Sequence, residues 1–225
     1  MNNLTRFYQS SLGKKYIMAV TGFALFVFVI IHMLGNLQIF VGQDAINSYA
    51  EFLKATPALL WSVRAGLFLV AVLHIVSALQ LARMNRAARP AKYEENKVVA
   101  AGLASQTILF SGLIILAFVV YHLLHFTVGV THPELLQLRD PKGRHDVYRM
   151  MILAFSNIGI SVFYIVSMGL LLLHLSHGVS SLFQSLGLRR KNLARGIDRF
   201  ARVSALVIFL GNCAIVIAVL MGYIK

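Results

Sequence analysis

Four histidines, His32, His74, His122 and His174, each lie inside a different long apolar stretch of this chain. An ionisable side chain in hydrocarbon is costly and marks a functional site by default. Neutral imidazole is a standard axial ligand to haem iron. Four such groups on four separate segments therefore point to two metal centres with two imidazole ligands each, most naturally two non-covalent b haems.

The segments that carry them read as membrane spans. The chain has 225 residues, 58% hydrophobic and only 13% charged, with a mean hydropathy of +0.75. A soluble domain of this size cannot hide that much apolar surface, and several apolar runs reach the roughly 20 residues that cross a ~30 Å hydrocarbon layer. The expected fold is an all-α integral membrane bundle of five helices in one domain, 1–225. Its spans fall at about 16–40, 59–83, 103–130, 148–184 and 202–223. The fourth exceeds a bilayer and is expected to project into water. The run 16–40 is too long for a cleavable signal and lacks a cleavage pattern. Pro57, Pro90, Pro133 and Pro141 all fall between spans, where helix-breaking residues belong.

Charge sets the orientation. One side carries Arg6, Lys14 and Lys15, then Arg83, Arg86, Arg89, Lys92 and Lys97, then Arg189, Arg190, Lys191, Arg195, Arg199 and Arg202, fourteen in all. The other carries seven: Lys54, Arg64, Arg139, Lys142, Arg144, Arg149 and Lys225. The richer side is expected to be cytoplasmic, with the N-terminus inside and the C-terminus outside a bacterial inner membrane. The net charge of +13 lies between spans. It suits topology and anionic lipid headgroups and does not suggest nucleic acid. A single cysteine, Cys213, rules out intrachain disulfides, a C-x-x-C metal site and covalent haem attachment.

Depth pairs the histidines. His32 lies 8 residues before Phe40 and His122 lies 8 before Val130, so both sit about 12 Å from the outer helix ends. His74 lies 9 residues before Arg83 and His174 lies 10 before Gln184, about 14 Å from the inner ends. His32 with His122 would form an outer site and His74 with His174 an inner one. A weak internal repeat agrees: Thr21–Leu34 (TGFALFVFVIIHML) aligns with Ser111–Leu124 (SGLIILAFVVYHLL). Gly22 and Gly112 lie about 15 Å along the helix from His32 and His122, near the inner depth. There they make room for a macrocycle or let helices approach closely.

Other histidines compete. His125 and His177 each follow a favoured ligand by one turn, and could replace it or contact a propionate or quinone. Choosing them would shift one partner of each pair by about 4.5 Å and spoil the depth match. His132 and His145 fall in the outer connection and read as solvated. Every acidic residue lies in or beside a connection, which argues against a transmembrane carboxylate proton wire.

In order and number, these motifs resemble the cytochrome b membrane-anchor subunits of succinate dehydrogenase and fumarate reductase, the single-anchor, two-haem type of succinate:quinone oxidoreductase. The resemblance runs over essentially the whole chain. It rests on Gly13-Lys14-Lys15 with Met18 and Thr21-Gly22, on His32-Met-Leu-Gly-Asn36 and His74, on His122-Leu-Leu-His-Phe126, and on His174-Leu-Ser-His-Gly178 running to Gln184-Ser-Leu-Gly187. It favours His174 over His177 and gives His122 the place of the third ligand. It implies a FAD flavoprotein partner, where succinate and fumarate interconvert, an iron–sulfur partner, and a membrane quinone, with menaquinone expected. Electrons would pass between the iron–sulfur subunit and a quinone near the outer surface. Glu51, Arg64 and His125 are the candidate quinone contacts, on predicted depth alone. The chain departs from some relatives in having no buried carboxylate of the kind proposed for proton transfer. The competing reading is the dihaem b anchor of another quinone-linked enzyme, a nitrate reductase, formate dehydrogenase or hydrogenase.

Overall fold

The computed structural model describes residues 2–88 and 108–225. The expected start of the third span at Leu103 lies outside these residues, as does the connection with Arg89, Pro90, Lys92, Glu94, Glu95 and Lys97. A short helix α1 (Asn3–Gln9) leads into α2 (Ser11–Asn36). After a 3₁₀ turn come α3 (Gln43–Lys54) and α4 (Pro57–Ala87). The third span is α5 (Ile108–Leu123), continued by a π-helical turn, Leu124–Val128. Then follow α6 (Val147–Phe155), α7 (Ile158–Ser185) and α8 (Ala194–Leu220). Five of these helices are long and apolar enough to cross a membrane, the architecture of a multi-pass membrane protein.

Local chemistry sets the boundaries. The Ser10 hydroxyl caps α2 by accepting from Gly13 N–H at 2.9 Å, and Pro57 opens α4, where its missing N–H costs nothing. The single long span expected over 148–184 is two helices. The reason is Ser156-Asn157: the Asn157 carboxamide accepts from Ile160 N–H at 3.1 Å and starts α7 afresh. The Ser161 hydroxyl donates to the freed Phe155 carbonyl at 2.6 Å. The last span begins at Ala194 rather than 202. Arg195, Arg199 and Arg202 therefore ride on its first turns, where long cationic side chains reach the polar interface.

Helix α7 sits at the centre, packed on α2, α5 and α8, while α4 leans mainly on α2. Ala201 and Ala205, both fully buried, let α8 approach α7 closely, the usual device for helix association where lipid removes the hydrophobic drive. The outward faces are apolar: Trp61, Phe68, Phe110 and Val166 are all strongly exposed.

At one end of the bundle, called here the loop side, α3 docks on the connection before α6. Asn47 is fully buried. Its amide donates to Asp146 at 3.0 Å and Asp140 at 3.3 Å, and its carbonyl accepts from Tyr148 N–H at 3.1 Å. Asp146 also caps α6 through Arg149 N–H at 3.1 Å. Arg144 spans Asp140 at 2.6 Å and Asp44 at 2.8 Å. The C-terminus reaches the same side, where the Tyr148 hydroxyl donates to the Lys225 carbonyl at 3.5 Å.

Two outcomes follow for this clamp. Asn47→Ala strips three hydrogen bonds from a buried site, so detergent-solubilised protein should lose about 2 kcal/mol of stability; unchanged thermal unfolding would contradict the clamp. Burial raises the Asp140 carboxyl, but hydrogen bonds from Arg144 and Asn47 outweigh it and hold it at about 2, against an ordinary 3.8. Because the folded value is the lower one, this contribution is full above about pH 4 and fades as pH falls towards 2. Asp140→Asn should flatten the pH dependence of the melting temperature over that window.

Candidate functional site: two histidine pairs

The site is built from one two-helix unit used twice. In the first copy, the Thr21 hydroxyl donates to its own helix at Ile17 O (2.7 Å) and lies 3.2 Å from His74 Nδ1. The same Nδ1 is 3.2 Å from the Met18 carbonyl. In the second copy, the Ser111 hydroxyl lies 3.1 Å from Ile108 O and 3.4 Å from His174 Nδ1. Each ring thus meets a hydroxyl of the facing helix through Nδ1, and His74 also meets the carbonyl three residues before that hydroxyl. The Met18 carbonyl can only accept, and the Thr21 and Ser111 hydroxyls already donate along their own helices, so the proton sits on Nδ1 and each Nε2 keeps its lone pair. A metal-bound histidine is held in this way, its second nitrogen donating to a carbonyl or carboxylate that fixes tautomer and orientation.

The glycine after each hydroxyl makes the approach possible. A Cβ on Gly22 would stand 3.1 Å from His74 Cε1, and one on Gly112 would stand 3.4 Å from His174 Cε1. These glycines do lie at the inner depth, and the room they leave is filled by the edge of an imidazole.

The outer pair is closer. The rings of His32 and His122 stand 5.7 Å apart with planes 86° apart. At that spacing the two imidazoles could hold one metal between them at ordinary metal–nitrogen distances. Each ring lies against a phenylalanine one turn earlier, Phe28 with His32 at 5.5 Å and Phe118 with His122 at 5.8 Å. Phe28 and Phe118 are again matching positions of the repeat. His122 Nδ1 lies 3.4 Å from the Tyr164 hydroxyl.

The donor set fits a haem. His74, His122 and His174 are half-buried and His32 is exposed, so none is sealed by protein. Two neutral imidazoles satisfy a metal only when the remaining donors come with the cofactor, as in a porphyrin. Among the described residues no three His, Cys, Asp or Glu gather as a metal cluster.

The remaining candidates separate. The π-helical turn carries His125 into the core, where it is fully buried, stacked on Phe126 at 4.2 Å and 3.1 Å from the Tyr164 hydroxyl through Nδ1. Its buried Nε2 has no partner among the described residues. His132, expected in solvent, lies 5.2 Å from the His125 ring and pairs with Glu134 at 3.0 Å. Polar groups therefore run from His122 through Tyr164, His125 and His132 to the loop-side surface. Of the proposed quinone contacts, Arg64 lines a basic cavity and His125 lies in this buried chain. Glu51 is exposed on α3 and lines no part of that cavity. Sequence reasoning missed Tyr164, which touches both His122 and His125. It also left Met18 without a role.

No family model matches the chain, and no curated protein or solved structure is significantly similar to it.

The close approach at Gly22 is testable without any ligand. Gly22→Val should push the His74 ring from its seat and cost about 1–3 kcal/mol through overpacking. Gly66, with nothing within 4 Å of its would-be Cβ, should accept valine with a much smaller loss. Equal melting temperatures for the two variants in detergent would contradict the packing described.

Proposed function

We propose that this chain is the cytochrome b membrane anchor of a succinate dehydrogenase or fumarate reductase. His32 with His122 and His74 with His174 would hold two b haems, whose iron cycles between ferric and ferrous and so supplies one-electron transfer between an iron–sulfur subunit and membrane quinone. The observation that carries the reading is the duplicated seat, in which hydroxyl and glycine recur at 21 and 22 against His74 and at 111 and 112 against His174. Each copy presents a histidine with Nδ1 tied and Nε2 free. A buried structural histidine needs one such bond at most. Four histidines with this two-fold order are what a pair of bis-imidazole sites requires.

Each chain residue has a defined task. Met18, Thr21 and Ser111 fix the tautomer and aim of the inner ligands. Phe28 and Phe118 hold the planes of the outer ligands, and Tyr164 anchors His122 on α7. Tyr164, His125, His132 and Glu134 line a polar route to the loop side, where quinone chemistry needs proton exchange. This role matters more because no carboxylate is buried within a span among the described residues. The Lys/Arg bias supports a cytoplasmic N-terminal side, which would face the flavoprotein and iron–sulfur partners.

The test is cofactor content. Purified chain from its host membranes should carry two b haems by pyridine haemochrome analysis. His122→Ala and His174→Ala should each lower that to one and leave high-spin or absent iron at the altered site. His177→Ala should keep two. A haem-free wild-type chain would contradict the reading. A copurifying FAD protein with an iron–sulfur partner would separate the succinate–fumarate enzyme from other dihaem anchors.

A further inference from the structure

On the loop side, a cavity of about 320 Å³ opens among α3, α4, the end of α5 and the start of α6. Its polar lining includes three cations, Lys54, Arg64 and Arg139, beside His145, with Phe126 and Met150 among the apolar residues opposite. Among the described residues no carboxylate pairs with Lys54, Arg64 or Arg139. The nearby acids are already engaged, Asp44 with Lys142 at 2.5 Å and Asp140 with Arg144 at 2.6 Å. Burial lowers the Lys54 ammonium below its ordinary range, and the charges of Arg139 and Arg64 push it lower still. Three cations converge here with repulsion uncompensated, and one half of the cavity wall is apolar.

The depth of the cavity narrows the class of ligand. The Arg64 guanidinium lies 5.1 Å over the ring of Trp61, the one tryptophan of the chain. Trp61 is exposed near the start of an apolar span. Tryptophan and arginine in this position mark the headgroup level of a bilayer. A soluble anion would find the charges but gain nothing from Phe126 and Met150. A phospholipid phosphate meets the cations while its glycerol and first acyl carbons meet the apolar wall.

We propose that Lys54, Arg64 and Arg139 form a binding site for the phosphate of an anionic phospholipid in the loop-side leaflet. The site is independent of the haem reading and assigns Arg64 to lipid rather than quinone. Its occupant closes the gap between the start of α4 and the connection before α6, two elements with no ion pair of their own at this point.

The experiment uses the purified full-length chain and native mass spectrometry with phosphatidylglycerol as probe, phosphatidylcholine and inorganic phosphate as comparators. Wild type should retain one phosphatidylglycerol in preference to phosphatidylcholine. Each of Lys54→Gln, Arg64→Gln and Arg139→Gln should weaken that retention about fivefold, the effect of one cation beside an anionic surface. Lys191→Gln, a charge removed at the opposite end of the bundle, should leave it unchanged. The three positions are exposed, so melting temperatures in phosphatidylcholine should match wild type and certify folding. Equal retention by wild type and the three variants would overturn the site. Stabilisation by inorganic phosphate equal to that by phosphatidylglycerol would show a soluble-anion site and overturn the lipid assignment. Equal weakening by Lys191→Gln would reduce the effect to net charge.

Discussion

The bond from a histidine Nδ1–H to a hydroxyl on the facing helix governs this molecule. In an apolar medium an imidazole N–H without a partner carries a heavy penalty. The same bond therefore stabilises the helix pair and settles which nitrogen stays free. It also dictates the residues around it. The facing helix must come close enough for its hydroxyl to accept, and a side chain after the hydroxyl would block the ring. Thr21-Gly22 and Ser111-Gly112 meet both demands. The pairing of α2 with α4 and of α5 with α7 follows.

Duplication of that unit accounts for much of the bundle. Helices α2 and α5 run the same way and carry the same order of groups: hydroxyl, glycine, phenylalanine, histidine. Each helix serves both depths, as the seat for an inner histidine near one end and as the donor of an outer histidine near the other. One helix sequence thereby sets the separation of the two sites, which is why the repeat keeps its spacing. The loop side is tied down by different chemistry. Asn47, Asp140, Asp146 and Arg144 form a buried polar knot of the kind that tolerates few unpaired members. It holds α3 and α6 over the end of the outer pair.

Much of this was legible in the residues. Apolar length marked the five spans, and depth brought His32 together with His122, whose rings stand 5.7 Å apart. The glycines were read to the correct depth. Other features were hidden for physical reasons. The break at Ser156-Asn157 interrupts an apolar run without proline, and depends on Asn157 capping a new helix, a local bond that hydropathy does not register. The π-helical turn at 124–128 alters which way His125 faces, so spacing from His122 could not show that it is fully buried against Tyr164. His132 keeps an exposed side chain, as read, but its contact with the His125 ring joins elements through tertiary packing and left no mark in the sequence. The knot around Asn47 joins residues about a hundred positions apart, beyond any periodic signal.

The central claim is that the two histidine pairs are two separate bis-imidazole sites. Low-temperature electron paramagnetic resonance of the oxidised, purified chain tests it most directly. Two low-spin ferric signals are predicted. The one from the His32–His122 pair should be strongly anisotropic, because its rings stand 86° apart. It should vanish in His122→Ala while the other persists. A single signal in wild type, or high-spin iron throughout, would contradict the account.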